Sequence, residues 1–489
     1  MFIILDGFGY SKNKMFNAAK NSHTPFLSKK NKEYTHSLLY ASGKNVGLPK
    51  GQVGNSEVGH TTMSSGKIVN QYLNRVNNSI KYGYIKKNKI VMSIFENLKK
   101  KKAIKIHIIG LFSNGRIHSD ENHIFDILKM LKKVSNKIII HLFTDGRDCG
   151  IRSAYFSIKK LKKYSLSNIS IASVSGRYYA MDRNKNWERT KLVYDMLTTG
   201  KSRYTYKDIF SLLFSSYKRK ETDEFIYPSW CGRKEDYIKQ KDIIIFMNFR
   251  SDRIVQIATS ISQKYFSSFY RKKILYDNLI ISLSKYCNNV KIPVMFKQIY
   301  LNITLGGVIS SNKRTQLRIA ETEKYAHITY FFNNGKDNMF NKEKRILVKS
   351  DNIKSYDIKP EMKALEITNK IIKNLKSFDI IICNYANADM IGHTGNYYAT
   401  IKSIECLDYC IYKINYFAKK LNINILVSSD HGNAEHMFDV QKVKINTSHT
   451  NNFVPVFYTG RKYIIKKYSK IKDICSSILY LLSIKNHQV

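Results

Sequence analysis

Residues 379–393 read Asp-Ile-Ile-Ile-Cys-Asn-Tyr-Ala-Asn-Ala-Asp-Met-Ile-Gly-His. Asp379–Tyr385 is a short, mostly apolar and β-branched run, the pattern of a strand buried on both faces. A few residues later Ala399, Ile401, Ile404, Leu407 and Ile411 recur at helical spacing. Between strand and helix stand Asp389 and His393, four apart. A strand, a polar ending and a helix form the repeating unit of a parallel sheet covered by helices. In such sheets active residues gather at the carboxyl ends of the strands.

The same unit recurs outward from this stretch. Further strand candidates are Phe2–Leu5, Ile104–Phe112, Lys137–Phe143, Ile169–Val174, Asp242–Phe249, Ile328–Phe332 and Asn424–Ser428. A second helical pattern runs through Ile124, Ile127, Leu128 and Leu131. The strand endings fall into two chemistries. Near both termini they carry Asp and His: Asp6, Asp389, His393, Asp430 and His431, with His449 in Thr-Ser-His-Thr. In the middle they carry Arg: Arg147, Arg177, Arg183, Arg250 and Arg253. The expected fold is α/β with two domains, each a mainly parallel sheet flanked by helices. Residues 1–70 and 299–489 would form a metal-binding domain from the two ends of the chain, and residues 71–298 an inserted oxyanion-binding domain. A chain of 489 residues is long enough for two cores.

Carboxylates and imidazoles together suit Mn²⁺ or Zn²⁺ better than a pure oxygen site or a thiolate site would. Six such donors suffice for two ions, and paired ions clamp the attacking and leaving oxygens of a phosphoryl transfer. A single strand-end Asp is more often a cap or turn residue than a ligand; six together point to metal.

Residues 47–60 read Gly-Leu-Pro-Lys-Gly-Gln-Val-Gly-Asn-Ser-Glu-Val-Gly-His. Glycines around Ser56 permit positive φ and close backbone approach. Taken alone, Ser56 is either a helix N-cap or a nucleophile near a helix N-terminus. The loop is neither a Walker A loop nor a Gly-x-Ser-x-Gly elbow, which disfavours nucleotide binding and acyl transfer.

The formal net charge of +45 raises nucleic acid or an acidic membrane as partners. The basic residues are dispersed, in short runs such as 99–102 and 159–163, without interleaved aromatics, so the charge reads as a drifted composition. No apolar run approaches the ~20 residues of a membrane span. Met1–Leu5 reads as a buried strand and not a signal peptide. Seven scattered cysteines suggest reduced thiols and a cytoplasmic setting, with Cys406 and Cys410 sharing one helix face.

Nine segments then occur in order: 5–9, 54–60, 145–148, 175–183, 248–253, 321–327, 389–395, 430–435 and 448–450. Gly-Asn-Ser-Glu-Val-Gly-His and Ser-Gly-Arg-Tyr-Tyr-Ala-Met-Asp-Arg are the most specific among them. This set resembles the cofactor-independent phosphoglycerate mutases of the alkaline phosphatase superfamily, over almost the whole chain. The resemblance implies interconversion of 3- and 2-phosphoglycerate, with no 2,3-bisphosphoglycerate, in a monomer that takes no nucleic acid or membrane partner. It implies two Mn²⁺ (with Zn²⁺, Co²⁺ or Mg²⁺ as possible substitutes), one held by Asp389, His393 and His449 and the other by Asp6, Ser56, Asp430 and His431. Ser56 would be transiently phosphorylated. His118, Arg147, Asp148, Arg177, Arg183, Arg250, Arg253 and Lys324 would bind substrate, with Asp148 as general base. A metallophosphatase or phosphopentomutase of the same superfamily is the rival enzyme, and the central Arg/His cluster argues against it. The two domains would close over the glycerate.

Overall fold

The structure is a computed structural model. It describes every residue except 34, 101–103, 133, 135, 164–167, 276–277, 288–289, 298, 300–302, 442, 461–468 and 485–489, and the side chains of 30–33, 99 and 100. The basic run at 99–102 and the expected boundary at 298/299 lie partly outside the described residues. The chain divides into two compact units, Met1–Gln71 with Tyr300–Val489, and Tyr72–Ile299.

The first unit is built on an eight-stranded sheet. Its order is Glu343–Val348, Gln316–Glu321, Ile380–Tyr385, Phe2–Leu5, Leu426–Ser428, Val454–Tyr458, Thr35–Tyr40 and Ser469–Lys470. The first five strands run parallel, and Val454–Tyr458 is antiparallel to both neighbours. The period of two along each strand splits the core. Phe2, Ile4, Ile380 and Ile382 face one apolar layer, while Ile3, Leu5, Ile381 and Cys383 face the other. The second layer is covered by the helix Tyr397–Lys420 through Leu407, Cys410, Ile411 and Ile414, and Asn396 caps that helix by accepting from Ala399 N at 3.1 Å. Cys410 is buried there with Cys406 packed beside it, both as free thiols.

The second unit has a seven-stranded sheet in the order Tyr204–Thr205, Ser229–Trp230, Ile169–Gly176, Ile138–Thr144, Ile106–Leu111, Ile243–Phe246 and Leu279–Ser282. The last five are parallel, and Ser229–Trp230 is antiparallel to Ile169–Gly176. The helix predicted from Ile124 to Leu131 is Glu121–Leu131, capped by Asp120. Among the described residues no helix is long and apolar enough to cross a membrane.

One expected strand is wrong. Residues 328–332 lie in a wide helical turn, His327–Phe331, that continues the helix Thr322–Ala326. Lys324, Ile328 and Phe332 are buried at intervals of four, so the apolar run follows a helical period. The strand in this region is Gln316–Glu321. Its polar sequence hides it: Arg318 is fully buried, donates to Gln316 Oε1 at 2.7 Å and to Ile328 O at 3.1 Å, and stacks over Phe332.

A polar chain crosses the second sheet. Asp242 Oδ2 lies 3.1 Å from His107 Nε2, His107 Nδ1 lies 2.9 Å from His141 Nε2, and His141 Nδ1 lies 2.8 Å from Ser173 Oγ. Both rings are completely buried. Burial lowers the pKa of His107 despite the opposing pull of Asp242, and lowers that of His141 further, with His107 adding to the effect. The unfolded chain therefore takes up protons below the ordinary histidine pKa near 6.5 while the native chain does not. Stability is complete above about pH 7 and is lost as pH falls below ~6.5, with a limiting slope of about 1.4 kcal/mol per pH unit for each histidine. We expect His141→Gln to be less stable than wild type at pH 7.5 and the gap to narrow towards pH 5.5. Thermal unfolding of the full chain at the two pH values checks this; a gap independent of pH refutes it.

Candidate active site

In the first unit, strand ends bring the Asp and His residues together. Asp6 follows Phe2–Leu5. Asp389 and His393 lie on and just after the helix Asn387–Gly392, which follows Ile380–Tyr385. Asp430 and His431 follow Leu426–Ser428. Two glycines allow the approach. Gly7 has φ +72°, and a Cβ there would sit 2.7 Å from Asp389 Cα; a Cβ on Gly59 would sit 2.8 Å from Asp430 Cβ.

The donors form two groups, Asp389 with His393 and His449, and Asp6 with Asp430 and His431. Within each, the ligand atoms all lie within 4.8 Å of one another. In the first group His393 Nδ1 donates to Thr447 O at 2.7 Å and His449 Nδ1 to Gly54 O at 2.8 Å. Those bonds put a proton on each Nδ1 and turn both Nε2 atoms into the site, where Asp389 raises the pKa of His393 against the effect of burial. The two Nε2 atoms face each other at 3.0 Å and lie 3.2 and 3.1 Å from Asp389 Oδ1. Two imidazole nitrogens and a carboxylate oxygen this close need a proton or a metal cation among them, and the three together are a metal-ligand set. In the second group Asp430 Oδ2 is buried and makes no hydrogen bond among the described residues, with only the longer approaches of His60 Nδ1 at 3.3 Å and His431 Nε2 at 3.4 Å. The residues present therefore fit divalent metal ions.

Ser56 is the first residue of the helix Ser56–Ser65. Asn55, and not Ser56, is the cap, accepting from Val58 N at 3.0 Å. That leaves Ser56 Oγ available for other work. It is buried, donates to Asp6 Oδ1 at 3.1 Å, lies 3.0 Å from His431 Nε2 and accepts from Lys324 Nζ at 2.8 Å. Lys324 also donates to Asp6 Oδ1 and Asp389 Oδ2, each at 2.6 Å.

The electrostatics follow from three buried carboxylates around one ammonium. Burial alone would raise Asp6 and Asp389, but Lys324 holds both well below the usual carboxylate range. Burial alone would lower Lys324, but Asp389, Asp6 and Asp430 raise it. His431, lowered by burial, is raised on balance to about 9 by Asp430, Asp6 and Asp389.

The second unit gathers the arginines. Arg177, buried at the start of the helix Arg177–Ala180, donates from Nη1 to Asp145 Oδ1 at 2.6 Å and to Asp148 Oδ2 at 2.5 Å. Asp252 holds His118 Nδ1, Arg183 Nη1 and Arg250 Nε, each at 3.3 Å. His118 Nε2 lies 3.9 Å from Asp148 Oδ2, and Arg147 Nη1 lies 3.6 Å from Glu224 Oε1. Burial lowers the pKa of Arg253, and the neighbouring charges of Arg183, Arg177 and Arg147 lower it further. Convergent guanidinium groups leave a positive field suited to a bidentate anion.

Several residues without a role in the sequence reading organise these sites. Asn384 Nδ2 donates to Asp6 Oδ2 at 2.7 Å, and Asn433 Nδ2 to Asp389 Oδ1 at 3.1 Å. Glu435 accepts from Asn433 N at 2.8 Å and from Asn452 Nδ2 at 3.0 Å, and also from Thr450 Oγ1 beside His449. Asp145 and Asp252 anchor the arginines. Their positions next to motif residues were the only signal in the sequence.

Helices over a parallel sheet, with carboxylate and imidazole donors at its strand ends, define a metalloenzyme, and the Metalloenzyme superfamily pattern matches residues 1–486. The 2,3-bisphosphoglycerate-independent phosphoglycerate mutase of Legionella pneumophila (strain Corby) is 41% identical over 490 residues, covering 99% of this chain and 95% of the relative. The enzyme of the same name from Francisella tularensis subsp. novicida (strain U112) is 40% identical over 494 residues, at 99% and 96% coverage. The solved phosphoglycerate mutase of Leishmania mexicana, studied at low cobalt concentration, aligns with a TM-score of 0.75 and 25% identity over 100% of this chain and 96% of that one. The chain belongs to the 2,3-bisphosphoglycerate-independent phosphoglycerate mutase family.

Proposed function

We propose that the chain interconverts 3-phosphoglycerate and 2-phosphoglycerate through a phosphoseryl intermediate on Ser56, without 2,3-bisphosphoglycerate. The observation that carries this reading is the surroundings of Ser56 Oγ: a buried hydroxyl, not used as a cap, between Asp6, His431 and the Lys324 ammonium. Near full-length likeness to named mutases favours this over a simple metallophosphatase. Asp389, His393 and His449 would hold one Mn²⁺ and Asp6, Ser56, Asp430 and His431 the other; cobalt in the Leishmania study is consistent with a divalent transition metal. When bound, the ions supply Lewis-acid charge to the transferring phosphoryl oxygens and the serine hydroxyl.

The chain's own residues do the rest. The arginines and His118 hold the carboxylate and phosphate of the substrate. Ser56 Oγ loses its proton as it attacks phosphorus, the bond from phosphorus to the glycerate 3-oxygen breaks, and that oxygen takes up a proton. Lys324 Nζ stands against the developing negative charge on the serine and phosphoryl oxygens. Glycerate stays bound and turns. Asp148, fixed by Arg177, takes the proton of the 2-hydroxyl as that oxygen attacks phosphoserine 56, and the bond from phosphorus to Ser56 Oγ breaks. The remaining expectations, a monomer in the cytoplasm without nucleic acid or membrane partners, belong to this reading.

The direct test is conversion of 3- to 2-phosphoglycerate by purified protein with added Mn²⁺ and no bisphosphate. Turnover is expected. A requirement for 2,3-bisphosphoglycerate, or no turnover with Mn²⁺, Zn²⁺, Co²⁺ or Mg²⁺, rules the reading out.

A further inference from the structure

His60 stands one helical turn after Ser56, is fully buried, and has no part in the chemistry above. Its ring touches the backbone of Ser56, the carboxylate of Asp430 and the amide of Asn384. Nδ1 lies 2.8 Å from Ser56 O and 3.3 Å from Asp430 Oδ2. Nε2 lies 2.9 Å from Asn384 Nδ2, which also donates to Asp6 Oδ2 at 2.7 Å. Asn384 Nδ2 is a donor to both, so His60 Nε2 must be an acceptor. The proton is then on Nδ1, where Ser56 O takes it. Carboxylate, amide and backbone partners thus agree on one tautomer.

The geometry points to His60 as the positioning residue of the Asp6, Ser56, Asp430 and His431 group: one rigid ring sets the backbone of the nucleophile, and through Asn384 the rotamer of Asp6, with its Nδ1 edge against Asp430. His60 touches none of Asp389, His393 and His449 in the hydrogen bonds and ion pairs described. Its direct contacts therefore fall on one of the two donor groups. Outer-shell partners that orient ligands typically set metal affinity by ~10–100-fold. The inference rests on the reading that this group holds a metal ion.

The experiment counts bound Mn²⁺ by titrating metal-free full-length protein and following the EPR signal of the free ion. Wild type should bind two ions. His60→Leu, with His60→Gln as a gentler second variant, should weaken one ion ~10–100-fold and leave the other unchanged. Asn384→Leu should weaken the same ion. A His393→Ala chain retains the Asp6 group, so adding His60→Gln to it identifies the weakened ion. A purely structural role would lower the metal-free unfolding midpoint of His60→Gln without weakening one ion selectively. Unchanged affinities in variants that still bind two ions overturn the inference alone, as does equal weakening of both ions. A wild-type chain that binds no Mn²⁺ overturns the metal reading together with it.

Discussion

Ser56→Ala should abolish mutase activity, lowering kcat by roughly 10⁴-fold or more, since removing a covalent nucleophile deletes the step and not merely its efficiency. That factor corresponds to about 5.5 kcal/mol of lost barrier lowering. The protein should still fold. The helix keeps its Asn55 cap, and the deleted hydroxyl leaves Lys324 bonded to Asp6 and Asp389. The variant should also fail to incorporate label when incubated with ³²P-labelled substrate and quenched in acid, where wild type yields acid-stable phosphoserine. A Ser56→Ala protein that still converts 3- to 2-phosphoglycerate would sink the phosphoseryl mechanism.

Metal removal should be nearly as damaging. Stripping the protein with a chelator is expected to take activity to background, and Mn²⁺ should restore it. The physical reason is the charge at the site: Asp6, Asp389 and Asp430 converge in the interior with Lys324 as the ammonium among them, and His393 and His449 both turn Nε2 on the same carboxylate oxygen. The ions also stabilise the fold by mass action, by about 4 kcal/mol per site when free metal is 1,000 times Kd. Differential scanning calorimetry should show the unfolding midpoint rising with added Mn²⁺. Full activity after exhaustive chelation, or a midpoint indifferent to the metal, would exclude a metal-dependent mechanism.

The donor residues were legible because their signals are local. Asp389 and His393 share one helical turn, Asp430 and His431 are adjacent, and each set closes an apolar run that reads as a strand. The arginines were legible for the same reason. The strands Gln316–Glu321 and Val454–Tyr458 were not. One buries Arg318 and Gln316 against each other, and the other contains Pro455 and lies outside the parallel set, so neither shows a clean apolar period. The run at 328–332 was misread because β-branched and aromatic residues suit strands, while its burial follows a helical interval of four.

The Ser56 loop marks the limit most clearly. Its glycines and its serine left a helix cap and a nucleophile equally open, because the two uses demand the same residue types at the same place. Only the folded chain separates them: Asn55 takes the cap, and Asp6, Lys324 and His431, distant from Ser56 in sequence, converge on its hydroxyl. By itself the sequence determined the α/β class, the division into Asp/His and Arg endings and the family resemblance, since these depend on residue type and short spacing. The tertiary structure decided how closely the donors of each group approach, what the His60 ring bridges and what holds Ser56 in place. Those depend on distances between strand ends that chain spacing does not encode.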